Sequence, residues 1–298
     1  MVRFLPAPII GMLSLMVLVL NTLFWAVPLF SVALVKLLIP LPAVRRWLSV
    51  LLTELAERWI AVNSWVLRVI QRAPLHVTGL TGLRHDGWYL ICCNHTSWAD
   101  IPLLQRVFAQ RIPFLRFFLK QELIWVPLLG LAWWALDFPF MQRYTPAYLA
   151  KHPEKRGVDS ATTRRACEKF RTTPTAVLNF LEGTRYTAAK HQAQNSPYAH
   201  LLRPKAGGMA SAVAAMGTMF EAMLDVTIIY RDGPVELWGL LCGKLGRVVI
   251  HIEQRPLPPE WLSGDYANDP VFRAAFQAWV QQIWEEKDAR IGRVLALD

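Results

Sequence analysis

Residues 88–109 have the sequence WYLICCNHTSWADIPLLQRVFA, and the prediction of the fold starts from this stretch. Residues 88–93 form a short apolar run, which predicts a buried strand, and residues 97–109 have the spacing of a helix. The same alternation continues from residue 75, which predicts an α/β fold with a sheet covered by helices. The other strands are predicted at 75–78, 114–119, 137–141, 175–180, 226–230 and 247–253. The other helices are predicted at 122–136, 160–171, 210–224 and 272–287.

A histidine and an aspartate five positions apart, His95 and Asp100, lie where that strand gives way to the helix. In one regular helix their side chains would diverge by about 140°, because each residue turns by ~100°. They can meet if His95 lies in the turn and Asp100 one turn inside the helix, with Ser97 at the N-cap. The pair is therefore a candidate general base with its orienting carboxylate. A capping box formed by Ser97 and Asp100 explains the same pattern without catalysis.

A second polar turn, Glu182-Gly183-Thr184-Arg185, follows the strand predicted at 175–180. Arginine suits phosphate because its planar fork donates two parallel hydrogen bonds. A glycine lets backbone N–H groups approach an anion closely. The alternative is a solvated turn with an internal ion pair between Glu182 and Arg185.

The composition favours a membrane-associated protein. Hydrophobic residues make up 54% and charged residues 18% of the 298 residues, against ~25% charged in typical soluble domains. This excess of apolar residues excludes a disordered chain. The thirteen tryptophans suit a membrane interface. The net charge of +10 suits anionic membranes or phosphorylated substrates. It suits nucleic acid equally, but no nucleic-acid-binding motif is present.

Residues 1–73 are predicted to anchor the chain in a membrane. The 32 residues from Phe4 to Val35 contain no charge, and one helix of that length exceeds the ~30 Å hydrocarbon core. Pro28 and Pro40 leave open a tilted span or two helices within the apolar stretch 4–40. The basic residues after this stretch place the rest of the chain in the cytoplasm; they are Lys36, Arg45, Arg46, Arg58, Arg68 and Arg72.

Residues 47–72 have the pattern of an amphipathic helix. Two placements fit this pattern equally well. The helix packs on the following domain, or it lies among lipid headgroups with Trp47, Trp59 and Trp65 as anchors.

The cysteines give no sign of a metal site. Cys92, Cys93, Cys167 and Cys242 form no CxxC pair and have no ligand-like spacing with histidine. We therefore expect neither a structural zinc site nor a disulfide framework, and scattered thiols fit a reducing compartment.

The two polar turns resemble motifs of one enzyme family. Asn94-His95 with Asp100 matches the NHx4D motif of the 1-acylglycerol-3-phosphate acyltransferase family, and residues 182–185 match its EGTR motif. An intermediate motif and a glycine-bearing stretch after EGTR are matched by Lys120-Gln121-Glu122-Leu123, Pro127, Gly130 and Arg143, and by residues 203–208. These motifs occur in family order, and the whole chain resembles the bacterial inner-membrane branch of the family.

The resemblance implies a glycerolphosphate acyltransferase fold, with a mixed central sheet covered by helices, in residues 74–298. It implies transfer of a fatty acyl chain from a thioester, acyl-CoA or acylated acyl carrier protein, to the sn-2 hydroxyl of lysophosphatidic acid. The product is phosphatidic acid, and no cofactor beyond the thioester and no metal is expected. Membrane lipids are expected partners and nucleic acid is not, with the catalytic domain on the cytoplasmic side of the inner membrane.

The resemblance also implies residue roles. His95 takes the proton from the acceptor hydroxyl, since imidazole titrates near neutrality. Asp100 holds its tautomer and offsets the imidazolium charge. Residues 182–184 organise the acceptor turn, and Arg185 binds the acceptor phosphate. Arg143 and then Lys120 are the next phosphate candidates, and the sequence identifies no oxyanion donor.

Two departures from the family pattern bear on the choice of acceptor. The family usually has proline where Leu181 and Thr227 stand, so another lysophospholipid is an alternative acceptor.

Residues 143–171 contain eight basic and three acidic residues, which suits anionic headgroups or a phosphorylated acyl carrier. A solvated surface explains this segment equally well. A non-enzymatic adaptor on anionic membranes is the alternative from another class, although an adaptor needs no general base.

Overall fold

A computed structural model describes residues 4–138, 140–141, 170 and 173–297 of the chain. Arg143 and the helix predicted at 160–171, apart from Phe170, lie outside the described residues, as does nearly all of the basic segment 143–171. The N-terminal region consists of two long helices, α1 (Ala7–Leu38) and α2 (Pro42–Ile70).

Helices α1 and α2 are joined by a three-residue link and pack against each other as an antiparallel pair. Asn21 Nδ2 donates to the Trp59 carbonyl at 3.0 Å and to Asn63 Oδ1 at 2.9 Å. Pro28 lies within α1, whereas Pro40 lies in the link. The apolar stretch is therefore one helix, and the predicted amphipathic helix begins earlier than expected, at Pro42.

One face of α2 packs on the rest of the protein. Leu52 and Ile60 belong to the same buried core as the sheet. Trp59 is half-buried and its Nε1 donates to Thr22 Oγ1 at 3.1 Å, while Trp47 and Trp65 are exposed. This buried core contains residues from both sides of residue 73. The division of the chain at that residue stays a prediction.

The described residues contain eight strands, which are β1 (Leu75–Thr78), β2 (Tyr89–Cys93), β3 (Leu115–Phe117), β4 (Leu119–Lys120), β5 (Phe140–Met141), β6 (Ala176–Phe180), β7 (Ala222–Tyr230) and β8 (Val248–Arg255). Six form one sheet in the order β1-β8-β7-β2-β6-β3. All neighbours in it are parallel except the antiparallel pair β7–β8. The prediction of a mixed sheet is confirmed. Strands β4 and β5 form a separate parallel pair.

Helices cover both faces of this sheet, and the described ones after α2 are α3 (Asp100–Phe108), α4 (Leu129–Ala135), α5 (Ala188–Ala193), α6 (Gly207–Met216), α7 (Leu237–Leu241) and α8 (Pro270–Leu295). Because side chains alternate along a strand, β2 contributes Ile91 to the core beneath α1–α3 and Leu90 to the core beneath α6 and α8. Burial on both faces explains why β2 and β6 are continuous apolar runs.

Two helix predictions are wrong. The helix predicted at 210–224 ends at Met216, and β7 begins at Ala222. A continuous apolar run has no clear period, so the pattern could not separate a helix from a buried strand. The helix predicted at 122–136 is a 3₁₀ turn, Gln121–Trp125, followed by α4. A Cβ at Gly130 would lie 2.0 Å from the Ile124 carbonyl oxygen, so the chain folds back where a straight helix was expected.

Candidate active site

Asp100 is the first residue of α3 and is completely buried. Its Oδ2 lies 2.7 Å from His95 Nδ1 and accepts from the backbone N–H groups of Thr96 at 2.7 Å and Ser97 at 3.0 Å. One carboxylate oxygen therefore fixes both the histidine and the backbone of the turn. The predicted meeting of His95 and Asp100 is found in the structure.

Ser97 does not occupy the predicted N-cap, because α3 begins three residues later, at Asp100. Its Oγ instead accepts from the Ala99 N–H at 3.1 Å and donates to the Val235 carbonyl at 2.7 Å. The serine thus tightens the turn before the helix and ties it to the segment before α7.

The His95 ring is held on two sides. Because its Nδ1 faces a carboxylate oxygen, this nitrogen carries the proton and Nε2 has its lone pair free. The ring stacks on Phe180 of β6, with centroids 4.0 Å apart and an interplanar angle of 18°. Its side chain is 16% exposed, and Nε2 has no hydrogen-bond partner among the residues that the structure describes. This arrangement suits a general base that accepts a proton at Nε2.

Asn94 has a role that the sequence did not indicate. Its Nδ2 donates to the Ile228 carbonyl at 2.9 Å, and its Oδ1 accepts from the Ile228 N–H at 2.9 Å. The side-chain amide thus continues the pairing of β2 with β7 beyond its last backbone pair, Cys93 with Val226. It ends β2 and fixes where the histidine turn begins.

Tyr230, the last residue of β7, is a second residue that sequence reasoning missed. Its hydroxyl donates to Asp100 Oδ1, the carboxylate oxygen that His95 does not use. Burial, followed by the charge of Asp100, holds the pKa of Tyr230 well above its ordinary value, so the hydroxyl remains a donor. No local signal marks this residue, because 130 positions separate it from Asp100.

Glu182 connects the two polar turns on the side that faces the protein core. It is completely buried, and its Oε1 accepts from the His95 N–H at 3.2 Å. The Tyr186 N–H donates to the His95 carbonyl at 2.7 Å, so both backbone groups of His95 are held by the second turn. Burial raises the pKa of Glu182 to about 8, against the opposing effect of the backbone N–H groups of His95 and Leu202. The carboxyl is therefore largely protonated at neutral pH.

Arg185 forms no ion pair with Glu182, which contradicts the solvated-turn interpretation. Its guanidinium carbon lies 3.7 Å from the centroid of the Trp98 ring. Gly183 has a φ of +69°, a left-handed conformation that glycine adopts without strain. The turn therefore directs Arg185 toward the histidine turn, while Glu182 points into the core.

Lys190 of α5 is a third residue that the sequence analysis missed. Its Nζ donates to Thr184 Oγ1 at 2.8 Å and to the Arg185 carbonyl at 3.0 Å. A lysine five residues after an EGTR turn has no distinctive pattern in a chain with 32 basic residues. These two hydrogen bonds stabilise the conformation of the EGTR turn.

A cavity of about 710 Å³ connects these groups. The predicted residues on its wall are His95, Lys120, Gly183, Thr184 and Arg185, and Lys190 joins them. Asp100 and Glu182 lie behind the wall. The rest of the lining is mostly apolar and comes from several elements; among its residues are Leu18, Trp59, Leu67, Ile101, Phe117, Leu123, Trp133, Leu178 and Leu240. The cavity thus has a polar end, which contains His95 and three cationic side chains, and an apolar interior.

Among the described residues, no group of three or more histidine, cysteine or acidic side chains is placed to hold a metal ion. Cys92, Cys93 and Cys242 are buried free thiols, and Cys167 lies outside the described residues. Burial raises the pKa of Cys92 and Cys93 well above the usual range, which keeps both thiols protonated.

A protein-family model matches the part of the chain that contains both polar turns. The family model described as "Acyltransferase" matches residues 74–231, more than half of the chain and both polar turns. The chain belongs to this family. The resemblance to an acyltransferase family is thus confirmed.

Several named proteins that are similar to this chain are also described as acyltransferases. The chain is 27% identical over 181 residues to 1-acyl-sn-glycerol-3-phosphate acyltransferase gamma of Mus musculus, covering 57% of this chain and 43% of that protein. It is 26% identical over 181 residues to the delta protein of Homo sapiens, with the same coverage. The match thus spans less than half of each relative. A crystal structure of the 1-acyl-sn-glycerophosphate (LPA) acyltransferase PlsC from Thermotoga maritima aligns with 90% of this chain and 95% of that one. Its identity is 18% and its TM-score 0.47.

Proposed function

We propose that this protein transfers a fatty acyl chain from a thioester to the sn-2 hydroxyl of 1-acylglycerol-3-phosphate, giving phosphatidic acid. The observation that carries the proposal is the shared cavity, in which His95 and Arg185 lie on one polar wall beside an apolar interior. A base, a phosphate-binding cation and space for an acyl chain are what this acceptor requires. The names of the curated relatives support the same acceptor.

In the proposed reaction, His95 Nε2 takes the proton of the acceptor hydroxyl as its oxygen bonds to the thioester carbonyl carbon. The carbon–sulfur bond then breaks, and the imidazolium returns its proton to the leaving thiolate. Asp100 keeps the proton on Nδ1 and stabilises the transient imidazolium. No covalent acyl-enzyme and no metal takes part.

Arg185 is the proposed ligand of the acceptor phosphate. Stacking on Trp98 occupies one face of the guanidinium and leaves its N–H edges available for two parallel hydrogen bonds. Lys190 and Lys120 add positive charge to the same cavity wall. Arg143 remains a candidate from the sequence alone.

We also propose that the protein is bound to the cytoplasmic membrane, with the cavity on the cytoplasmic side. Helix α1 has 32 residues, an 18-residue window of mean hydropathy 2.1 and only 17% of that window buried. The basic residues after α1 support the orientation by the positive-inside rule. The full-length protein should therefore fractionate with membranes and require detergent for extraction. The thioester donor is acyl-CoA or an acylated acyl carrier protein.

The test is an assay of the detergent-purified full-length protein with a panel of lysophospholipids and both donors, analysed by mass spectrometry. We expect phosphatidic acid from lysophosphatidic acid, and none from a folded His95→Ala variant. Preferential acylation of another lysophospholipid would replace the proposed acceptor. Binding to anionic vesicles without turnover on any acceptor would favour a non-enzymatic adaptor instead.

A further inference from the structure

Asp100 is shared between the side chain of His95, five residues before it, and that of Tyr230, 130 residues after it. His95 Nδ1 bonds to Oδ2, while the Tyr230 hydroxyl bonds to Oδ1. Asp100 is completely buried and Tyr230 is nearly so. Tyrosine, aspartate and histidine thus form one hydrogen-bonded chain that leads from the core to the cavity.

We propose that Tyr230 is a positioning residue for the acyl transfer, which acts through Asp100 to set how strongly His95 holds a proton. The proposal rests on the proposed function, in which His95 is the general base. A donor on Oδ1 withdraws part of the carboxylate's charge from the imidazole, because hydrogen bonds in such a buried chain polarise one another. With this donor in place, the imidazolium is stabilised less strongly than by a bare carboxylate. His95 is then neutral, and ready to accept a proton, over a wider pH range.

The sheet determines where the Tyr230 hydroxyl lies. Ile228, two residues earlier on β7, exchanges both of its backbone hydrogen bonds with the Asn94 side chain. Since residues two apart lie on the same face of a strand, Tyr230 projects from the face that also contributes Ile228 to the core beneath α3. The register that holds the asparagine next to His95 therefore also presents the tyrosine to Asp100.

Other charged groups act on the same chain of hydrogen bonds. Glu182 lies behind His95, and Cys93 and the Ser97 hydroxyl are close enough to influence Tyr230. In the part of the chain that the structure describes, the other charged groups near the site are Arg185, Lys120 and Lys190 on the cavity wall, and Lys287 and Asp225 beneath the sheet. All of them persist when only the Tyr230 hydroxyl is removed, so a change in pH dependence reports on that hydroxyl.

The test compares wild type with Tyr230→Phe, which keeps the ring and removes the donor. Tyr89→Phe is the matched control, because Tyr89 is another buried strand tyrosine whose hydroxyl bonds to Arg84 N and Glu221 instead. Within the acid limb of the wild-type profile, we expect kcat/KM to fall by up to about tenfold in Tyr230→Phe, because His95 then holds its proton more strongly and less of the free base is present. Above that limb the loss should disappear. Neither KM should change by more than about twofold, since the hydroxyl does not touch substrate.

The pH profile separates positioning from packing. We expect the acid limb of kcat/KM to move to higher pH in Tyr230→Phe and to stay in place in Tyr89→Phe. A folded Tyr230→Phe enzyme whose acid limb stays at the wild-type pH, or whose loss is equal at every pH, would overturn the proposal.

Two further measurements cover the remaining outcomes. If Tyr230→Phe does not fold, 3-fluorotyrosine at position 230 keeps the shape and donates more strongly, so the acid limb must move to lower pH; an unmoved limb rejects the role. If the wild type acylates no lysophospholipid, the proposed function fails, but ¹⁵N NMR of the His95 ring still reports its titration without turnover. The same titration midpoint in wild type and Tyr230→Phe would then overturn the inference.

Discussion

The guanidinium carbon of Arg185 lies over the ring of Trp98, 3.7 Å from the ring centroid. Trp98 lies between His95 and Asp100 in the first polar turn, so the two turns meet through this contact as well as through the backbone of His95. A tryptophan of the first polar turn thus contacts the arginine of the second.

Replacing this tryptophan tests the contact. In Trp98→Leu, the apparent KM for the lysophospholipid should rise by about twofold to thirtyfold, since a cation–π contact contributes ~0.5–2 kcal/mol. The KM for the thioester should change less. The control is Trp125→Leu, at a tryptophan that is 84% exposed and does not line the cavity. An unchanged acceptor KM in folded Trp98→Leu would show that Arg185 needs no aromatic support.

Arg185 itself should tolerate neither alanine nor lysine. Arg185→Ala should raise the acceptor KM by about tenfold to a hundredfold, the effect of one charged hydrogen bond worth ~1.5–3 kcal/mol. Arg185→Lys keeps the charge but loses the planar fork and its stacking, so it should restore only part of the affinity. Circular dichroism checks the fold, and Arg84→Ala, at an exposed arginine paired with Asp86, is the control. A normal acceptor KM in Arg185→Ala would move the phosphate site toward Lys120, Lys190 or Arg143.

The general base and its carboxylate should act together. His95→Ala should lower kcat by about 10²–10⁴-fold, the usual contribution of a positioned acid–base group, while His85→Ala, at an exposed histidine, should not. Asp100→Asn should cost a similar factor and leave the fold intact. Its amide oxygen can still accept from Thr96 and Ser97, while the Tyr230 hydroxyl turns to accept from the amide NH₂. Wild-type kcat in either folded variant would remove that residue from the mechanism.

Glu182 should make the protein less stable as the pH rises. Its pKa is about 8 in the folded protein against 4.5 for an ordinary glutamate. Between these values the folded state keeps a proton that the unfolded state has released, so the free energy of unfolding falls as pH increases through this window. Glu182→Gln should flatten that slope, because glutamine resembles the neutral acid and still accepts from the His95 N–H.

The measurement for Glu182 is Tm between pH 5 and 8 for wild type, Glu182→Gln and Glu260→Gln, the last at an exposed carboxylate. The Glu260→Gln variant should keep the wild-type slope. Equal slopes in all three proteins would mean that Glu182 is ionised in the folded state at neutral pH.

The local parts of this site could be predicted from the sequence. An apolar strand that ends in a polar turn and a helix restricts where a histidine and an aspartate can lie, and His95 and Asp100 meet as that geometry requires. The same reasoning placed β6 before the EGTR turn. Both predictions depend on residues within a few positions of one another.

The contacts between distant segments could not be predicted in this way. Asn94 with Ile228, and Asp100 with Tyr230, depend on β2 and β7 being neighbours in register, which no local pattern specifies. The alternative interpretation, an ion pair of Glu182 with Arg185, is not found, and a positive φ at Gly183 separates the two side chains. The break before α4 depends on the close approach of Gly130 to the Ile124 backbone, a contact visible only in three dimensions.

The cavity has a consequence for any shortened form of this protein. Leu18 and Thr22 of α1 and Trp59, Asn63 and Leu67 of α2 line the same cavity as His95. The hairpin of α1 and α2 is therefore part of the wall of this cavity, and a truncation made to gain solubility would open the cavity around His95 to bulk water. A chimera that exchanges only this hairpin between two family members would exchange part of the cavity wall as well.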